Sequence, residues 1–180
     1  MLKKVNASLG LAALAALLVH IIYEVAAFIN REYNPSVTGM IAHFISGFAV
    51  LHILCSLWIL IKDHDRWNGI KYLSLNIRTV IQRVTAFLMI ILIGVHVNLI
   101  KMLPEASVPL LAIQIFFFAC VFLHLAVSFT NALITYGRIE SSKARKKADI
   151  AVFIICALLF LIVSVVITRT EYILFAGGAA

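Results

Sequence analysis

Charge is what this chain has least of: Asp, Glu, Lys and Arg make up 13% of its 180 residues, and only eight residues are acidic. With 63% hydrophobic residues and a mean hydropathy of +1.07, a soluble domain of this size could not hide so much apolar surface. A self-contained soluble enzyme and a nucleic-acid-binding module are both excluded. Cysteine is sparse as well. Cys55, Cys120 and Cys156 lie singly, each inside an apolar stretch, and no Cys-x-x-Cys-His sequence occurs. Covalent c-type haem attachment is thereby excluded, and cysteine-based zinc or iron–sulfur sites are disfavoured. The chain also lacks internal repeats, low-complexity tracts, a dividing linker and the ten-residue alternation of a membrane β-barrel.

What is present is a series of five long apolar stretches, drawn from hydropathy as about 8–30, 40–61, 80–100, 108–136 and 150–167. Each has about the ~20 residues a helix needs to cross a bilayer. Backbone groups in lipid must be satisfied within their own segment, so these stretches are expected as helices. The first is preceded by Lys3 and Lys4 but is too long for a secretory signal and has no small-residue cleavage site near Asn30 and Arg31. The expected fold is an all-α five-transmembrane-helix bundle in one domain, residues 1–180.

The formal net charge of +7 matters less than its distribution. With the N-terminus cytoplasmic, that side carries twelve basic residues: Lys3, Lys4, Lys62, Arg66, Lys71, Arg78, Arg83, Arg138, Lys143, Arg145, Lys146 and Lys147. The opposite side has Arg31, Lys101 and Arg169. Twelve against three is a positive-inside pattern. Most of these residues read as topology and headgroup contacts. Arg66, Lys71 and the Lys143–Lys147 run are also placed to dock a cytoplasmic partner.

Histidine carries the most specific information. His20, His43, His52, His96 and His124 lie in apolar stretches, where ionisable side chains are costly and usually face a bundle interior or cavity. His64, between Asp63 and Asp65, reads as solvated. In the first and third helices His20 lies 12 residues after Ser8 and His96 lies 13 after Arg83, so both sit roughly 18–20 Å from the inner end. In the second, His52 lies 9 residues before Ile61, about 14 Å from that end, with His124 of the fourth at comparable or slightly greater depth. Two histidine pairs at two depths match two haems b, each iron held by an imidazole from either side and thus restricted to one-electron transfer. A zinc site would gather its ligands at one point. His43, toward the outer end of its helix, reads as a quinone-facing or hydrogen-bonding residue rather than a ligand.

In this setting Ile81-Gln82-Arg83-Val84-Thr85-Ala86, followed by Gly94-Val95-His96-Val97, resembles the Leu-Gln-Arg-Val-Thr-Gly segment and third-helix ligand of the succinate dehydrogenase and fumarate reductase cytochrome b membrane anchors, five-helix diheme class. Phe122-Leu123-His124, running to Thr135-Tyr136-Gly137 and a basic loop, is similar to that family's fourth helix. His52, 44 residues before His96, and His20, preceded by Ser8-Leu9-Gly10, fall where the remaining ligands are expected. The resemblance covers nearly the whole chain, through the ordered combination of one ligand on each of four helices.

The resemblance implies that His20 and His96 ligate a distal haem near the outer face, and His52 and His124 a proximal haem near the cytoplasm. It implies a flavoprotein and an iron–sulfur subunit docked on the cytoplasmic face, menaquinone or another quinone reacting near the distal haem, and a bacterial or archaeal cytoplasmic membrane as the setting. Dicarboxylate chemistry would lie on the flavoprotein. Complexes of this kind often dimerise through their anchors. Ala86 stands where the family often has glycine, and Phe122 stands where some two-haem fumarate reductases carry a glutamate linked to proton movement, so that proton path is not expected here.

Glu24 follows His20 by one helical turn, and a carboxylate there is placed to exchange protons with a quinol. Glu32 and Asn98 are weaker candidates of the same kind. On the inner side Arg78, Gln82 and Arg83 are candidates for haem propionates, since a guanidinium forks onto a carboxylate. Trp58, Trp67 and Tyr72 read as interfacial aromatics. Two other readings use the same histidines: a diheme cytochrome b serving a hydrogenase, formate dehydrogenase or ferric reductase, and a haem-free transporter or proton channel with a histidine relay.

Overall fold

The computed structural model describes residues 1–30, 32, 34–64, 77–102 and 108–177, and side chains within these except at 28, 63–64, 98–102, 108, 110 and 170–177. Among the described residues the chain is helical throughout: α1 (Leu2–Asn30), α2 (Pro35–His64), α3 (Ile77–Met102), α4 (Val108–Thr135) and α5 (Ser142–Gly177). All five helices are long and apolar enough to cross a membrane. The chain is thus a multi-pass membrane protein by the length and composition of its helices.

The helices outrun the apolar stretches drawn from sequence. At 26 to 36 residues they are roughly 39–54 Å long, beyond the ~30 Å of a hydrocarbon core. α1 starts at Leu2 rather than near residue 8, and α5 starts at Ser142 rather than near 150. Hydropathy marks the part of a helix that lipid covers. The helix itself continues through Lys, Arg and Ala, which favour helical backbone as much as leucine does.

Local chemistry sets the ends. Asn34 caps α2, its Oδ1 accepting from Ser36 N at 3.0 Å and Val37 N at 3.4 Å, with Pro35 at the first helical position, where its missing N–H has no consequence. α4 ends in a paired closure: Gly137 N donates to Ile134 O at 2.9 Å and Arg138 N to Leu133 O at 3.0 Å. That closure needs a left-handed residue, and Gly137 supplies it with φ +70°. At the far end of α2 the Lys62 ammonium lies 5.7 Å from the Trp58 ring centroid, an aromatic and a cation together as at a membrane interface.

The chain divides into two units. The first comprises Met1–Leu75 with Asn131–Ser141, and in it α1 packs along α2. Tyr136 hydrogen bonds Ser8, and its hydroxyl donates to Lys4 O at 3.1 Å, fastening the turn after α4 to the start of α1. At the other end of α1 the Tyr23 hydroxyl donates to Asn34 O at 3.4 Å. The second unit comprises Asn76–Thr130 with Ser142–Ala180. Its core lies on α4, where Phe117, Cys120, Val121, Phe122 and Ala126 are buried, and Phe122 meets Phe160 of α5 edge-on at 6.3 Å. α5 buries Cys156 and Val163, seven residues apart, and exposes Ile150, Ile154, Leu158, Leu161 and Val165, a face that lipid would cover.

Candidate functional site: the intramembrane histidines

In the first unit His52 of α2 lies against α1. Its ring sits over Gly10, where a Cβ would come within 3.1 Å of Cε1 and 3.3 Å of Nδ1, so any side chain there would press on the ring. Its Nδ1 donates to the backbone carbonyl of Asn6 at 3.0 Å. One turn further along α2 the Ser56 hydroxyl donates to Asn6 Oδ1 at 3.1 Å, so two residues on one face of α2 grip the same asparagine.

His20 is arranged differently. It is half-buried, its Nδ1 is buried with no hydrogen-bond partner among the described residues, and that atom lies 3.9 Å from Glu24 Oε1. The Glu24 carboxylate is held from α2, where the Thr38 hydroxyl donates to Oε1 at 2.7 Å. On α1 His20 lies ten residues beyond Gly10, so His20 and His52 occupy levels about 15 Å apart along the helix. His43 is exposed and bonds within its own helix, Nδ1 to Gly39 O at 2.5 Å. Glu32 is exposed just beyond α1.

The second unit repeats the two levels. His124 of α4 donates from Nδ1 toward α3, to Gln82 O at 3.1 Å, with Thr85 Oγ1 at 3.2 Å from the same nitrogen. The Thr85 hydroxyl gives its own proton to Ile81 O at 2.7 Å, leaving its lone pairs toward the ring. His96 of α3 has Nδ1 at 2.6 Å from Gln114 Oε1 of α4, with its ring stacked on Phe117 at 4.9 Å and edged by Phe118 at 5.8 Å. His124 follows Gln114 by ten residues on α4, again about 15 Å.

The carbonyl and amide oxygens bonded to His52, His96 and His124 accept only, so each Nδ1 carries the proton and each neutral ring holds its lone pair on Nε2. That is the tautomer of an imidazole prepared to bind a metal through Nε2, with the oxygen fixing ring orientation and raising its basicity. Among the described residues no three of His, Cys, Asp and Glu gather around one point, as a zinc ion would require. Axial ligation of haem asks only for one imidazole on each side.

The basic candidates separate. The Arg78 guanidinium is committed within its unit, Nη1 to Asp149 Oδ1 of α5 at 2.6 Å and Nε to Val127 O of α4 at 2.8 Å, with Nη2 buried and without a partner. The Gln82 backbone carbonyl is an acceptor for His124. Arg83 is exposed on α3. The side chain of Asn98 and residues Arg66, Trp67, Lys71 and Tyr72 lie outside the described residues.

Sequence reasoning passed over Asn6, Thr38 and Gln114, and gave Gly10 and Thr85 no task. One signal for Gln114 was available: it is the single side-chain amide among the apolar residues running from Leu110 to Thr130 of α4, and a buried amide needs a partner. Thr85 and Gln114 are both buried polar side chains, each 5% exposed, and each meets a histidine. Compared with protein-family models, curated proteins and solved structures, the chain matches none.

Proposed function

We propose that this chain is the diheme cytochrome b membrane anchor of a succinate:quinone oxidoreductase or quinol:fumarate reductase, carrying electrons between a membrane quinone, menaquinone in the first instance, and a cytoplasmic iron–sulfur and flavoprotein pair. The observation that carries the reading is the repeated pair of levels: His20 and His52 in the first unit, and His96 and His124 in the second, stand about 15 Å apart along the helices, and three of these four have Nδ1 bonded to an oxygen acceptor. The pairing is the one reached from depth, His20 with His96 toward the outer face and His52 with His124 toward the cytoplasm. The ordered resemblance of the Gln82-Arg83-Val84-Thr85 segment and of the His124 helix supplies the family.

Haem iron with two imidazole ligands supplies one-electron transfer and offers no open position to a substrate. The chain's own residues do the rest. His20, His52, His96 and His124 would be the ligands, and in His52, His96 and His124 the bonded Nδ1 leaves Nε2 as the nitrogen that would meet iron. Asn6, Gln82, Thr85 and Gln114 hold three of the rings. Arg78, whose Nη2 is buried with no hydrogen-bond partner among the described residues, and Arg83 are the proposed propionate contacts. Glu24, its carboxylate held by Thr38 beside His20, accepts one of the two protons a quinol releases as it is oxidised, the other passing to water at the outer face. Dicarboxylate chemistry belongs to the flavoprotein, which the basic cytoplasmic side is placed to receive.

The test is a pyridine haemochrome assay with protein quantitation on the detergent-purified chain. About two haems b per polypeptide are expected, with His20→Ala or His96→Ala removing chiefly one and His52→Ala or His124→Ala chiefly the other. No haem in material made with haem available overturns the reading. Co-purification of a flavoprotein and an iron–sulfur protein separates this anchor from the cytochromes b of hydrogenases, formate dehydrogenases and ferric reductases.

A further inference from the structure

We infer that Gln114 is a positioning residue for His96, and that the hydrogen bond it accepts gives the haem site at His96 a lower reduction potential than that ring would confer unaided. The inference rests on the haem reading above for its redox consequence, but the geometry behind it belongs to α3 and α4 alone. Gln114 is buried, 5% exposed, in a helix otherwise apolar around it, and its Oε1 lies 2.6 Å from His96 Nδ1. Phe117, three residues on and so on the same face of α4, stacks on the imidazole at 4.9 Å with 25° between the planes, while Phe118 meets it at 87°. One nitrogen is bonded and one ring face covered, so a flip of the imidazole would break the bond and leave a buried amide oxygen without a donor.

The other engaged rings differ in kind. His52 and His124 give their Nδ1 protons to backbone carbonyls, Asn6 O at 3.0 Å and Gln82 O at 3.1 Å, whose position follows from the helix itself. At His96 the acceptor is a side-chain amide, and its bond is the shortest of the three. A shorter N–H···O bond draws more of the Nδ1 proton toward the acceptor, makes Nε2 a stronger donor, and stabilises the oxidised state of iron bound there. A side chain can be exchanged by one substitution where a backbone carbonyl cannot, so the acceptor at His96 is open to direct test.

The experiment compares the purified full chain with Gln114→Met, which keeps the shape and removes the acceptor, and Gln114→Glu, which keeps an oxygen acceptor. Nitrogen-15 NMR of labelled histidine in haem-free protein reads the His96 tautomer without reference to any cofactor. Optical redox titration of haem-loaded protein then reads the two potentials, that of the His96 site identified as the one His96→Ala abolishes. The expected result is an Nδ1-protonated His96 in the native chain and in Gln114→Glu, lost in Gln114→Met, with the potential of that site alone raised in Gln114→Met and not raised in Gln114→Glu. An unchanged tautomer in Gln114→Met overturns the positioning role. A changed tautomer with both potentials unmoved overturns the tuning role. A native chain that takes up no haem overturns the haem reading and, with it, the tuning role, while the tautomer still decides the positioning role.

Discussion

Gly10 shows how much depends on a missing atom. The His52 ring occupies the space where a Cβ would lie 3.1 Å from Cε1, so Gly10→Ala must push the ring away by a few tenths of an ångström, and the bond to Asn6 O weakens with it. We predict that Gly10→Ala lowers haem affinity at the His52 site by roughly tenfold, as loss of a supporting hydrogen bond commonly does, and that Gly10→Leu abolishes it. Haem titration into the apo-protein checks both, with the His96 site as internal control. Glu24 makes the second residue-scale prediction. Glu24→Gln should slow haem reduction by a menaquinol analogue by about 10²-fold or more, the lower end of what a positioned base contributes. Thr38→Val, which removes the donor at 2.7 Å but keeps the carboxylate, should cost less. Equal rates in all three proteins would remove Glu24 from proton transfer.

For the helices, end chemistry decides what hydropathy leaves open. Asn34 and Pro35 start α2 well before the apolar stretch begins, and Gly137 stops α4 through its positive φ. Asn34→Ala deletes the cap and should cost about 1 kcal/mol, and Gly137→Ala forces a Cβ into the left-handed region at a similar cost. Both should lower the midpoint of thermal unfolding in detergent, followed by circular dichroism, without changing haem content. The α2 cap was legible in Asn34-Pro35-Ser36, a helix-start signature read past because the apolar run begins at Met40. The α4 stop was legible in Tyr136-Gly137.

At the scale of the whole molecule, one charge cluster among the described residues links helices of the second unit. Arg78 of α3 spans to Asp149 of α5 at 2.6 Å and to Val127 O of α4, and Arg145 approaches the same carboxylate at 4.0 Å, so one arginine ties three helices of the second unit. Removing one partner strands the other. Asp149→Leu alone should destabilise the protein by ~1–3 kcal/mol, and the double variant Arg78→Met with Asp149→Leu should recover part of that loss. Thermal unfolding of the four proteins of this cycle checks it, and additive effects would show that the pair contributes nothing.

Five membrane-length helices, intramembrane histidines on four of them and the skew of basic residues are properties of the chain in order, and they were legible without a structure. Hydrophobicity, helical rise and charge count act locally, so Ser8 to His20 or His52 to Ile61 is a length that no tertiary contact alters. The partners of those histidines are another matter. Asn6 meets His52 across 46 residues, Gln82 meets His124 across 42, and Gln114 meets His96 across 18. Which oxygen faces which imidazole depends on the rotation of each helix about its axis, and helices as uniformly apolar as α1 and α2 carry almost no periodicity to specify it. Side-chain packing, such as the ring of His52 against Gly10 and that of His96 against Phe117, settled the rotation, and with it the choice of Asn6, Thr85 and Gln114 as the residues that hold the site.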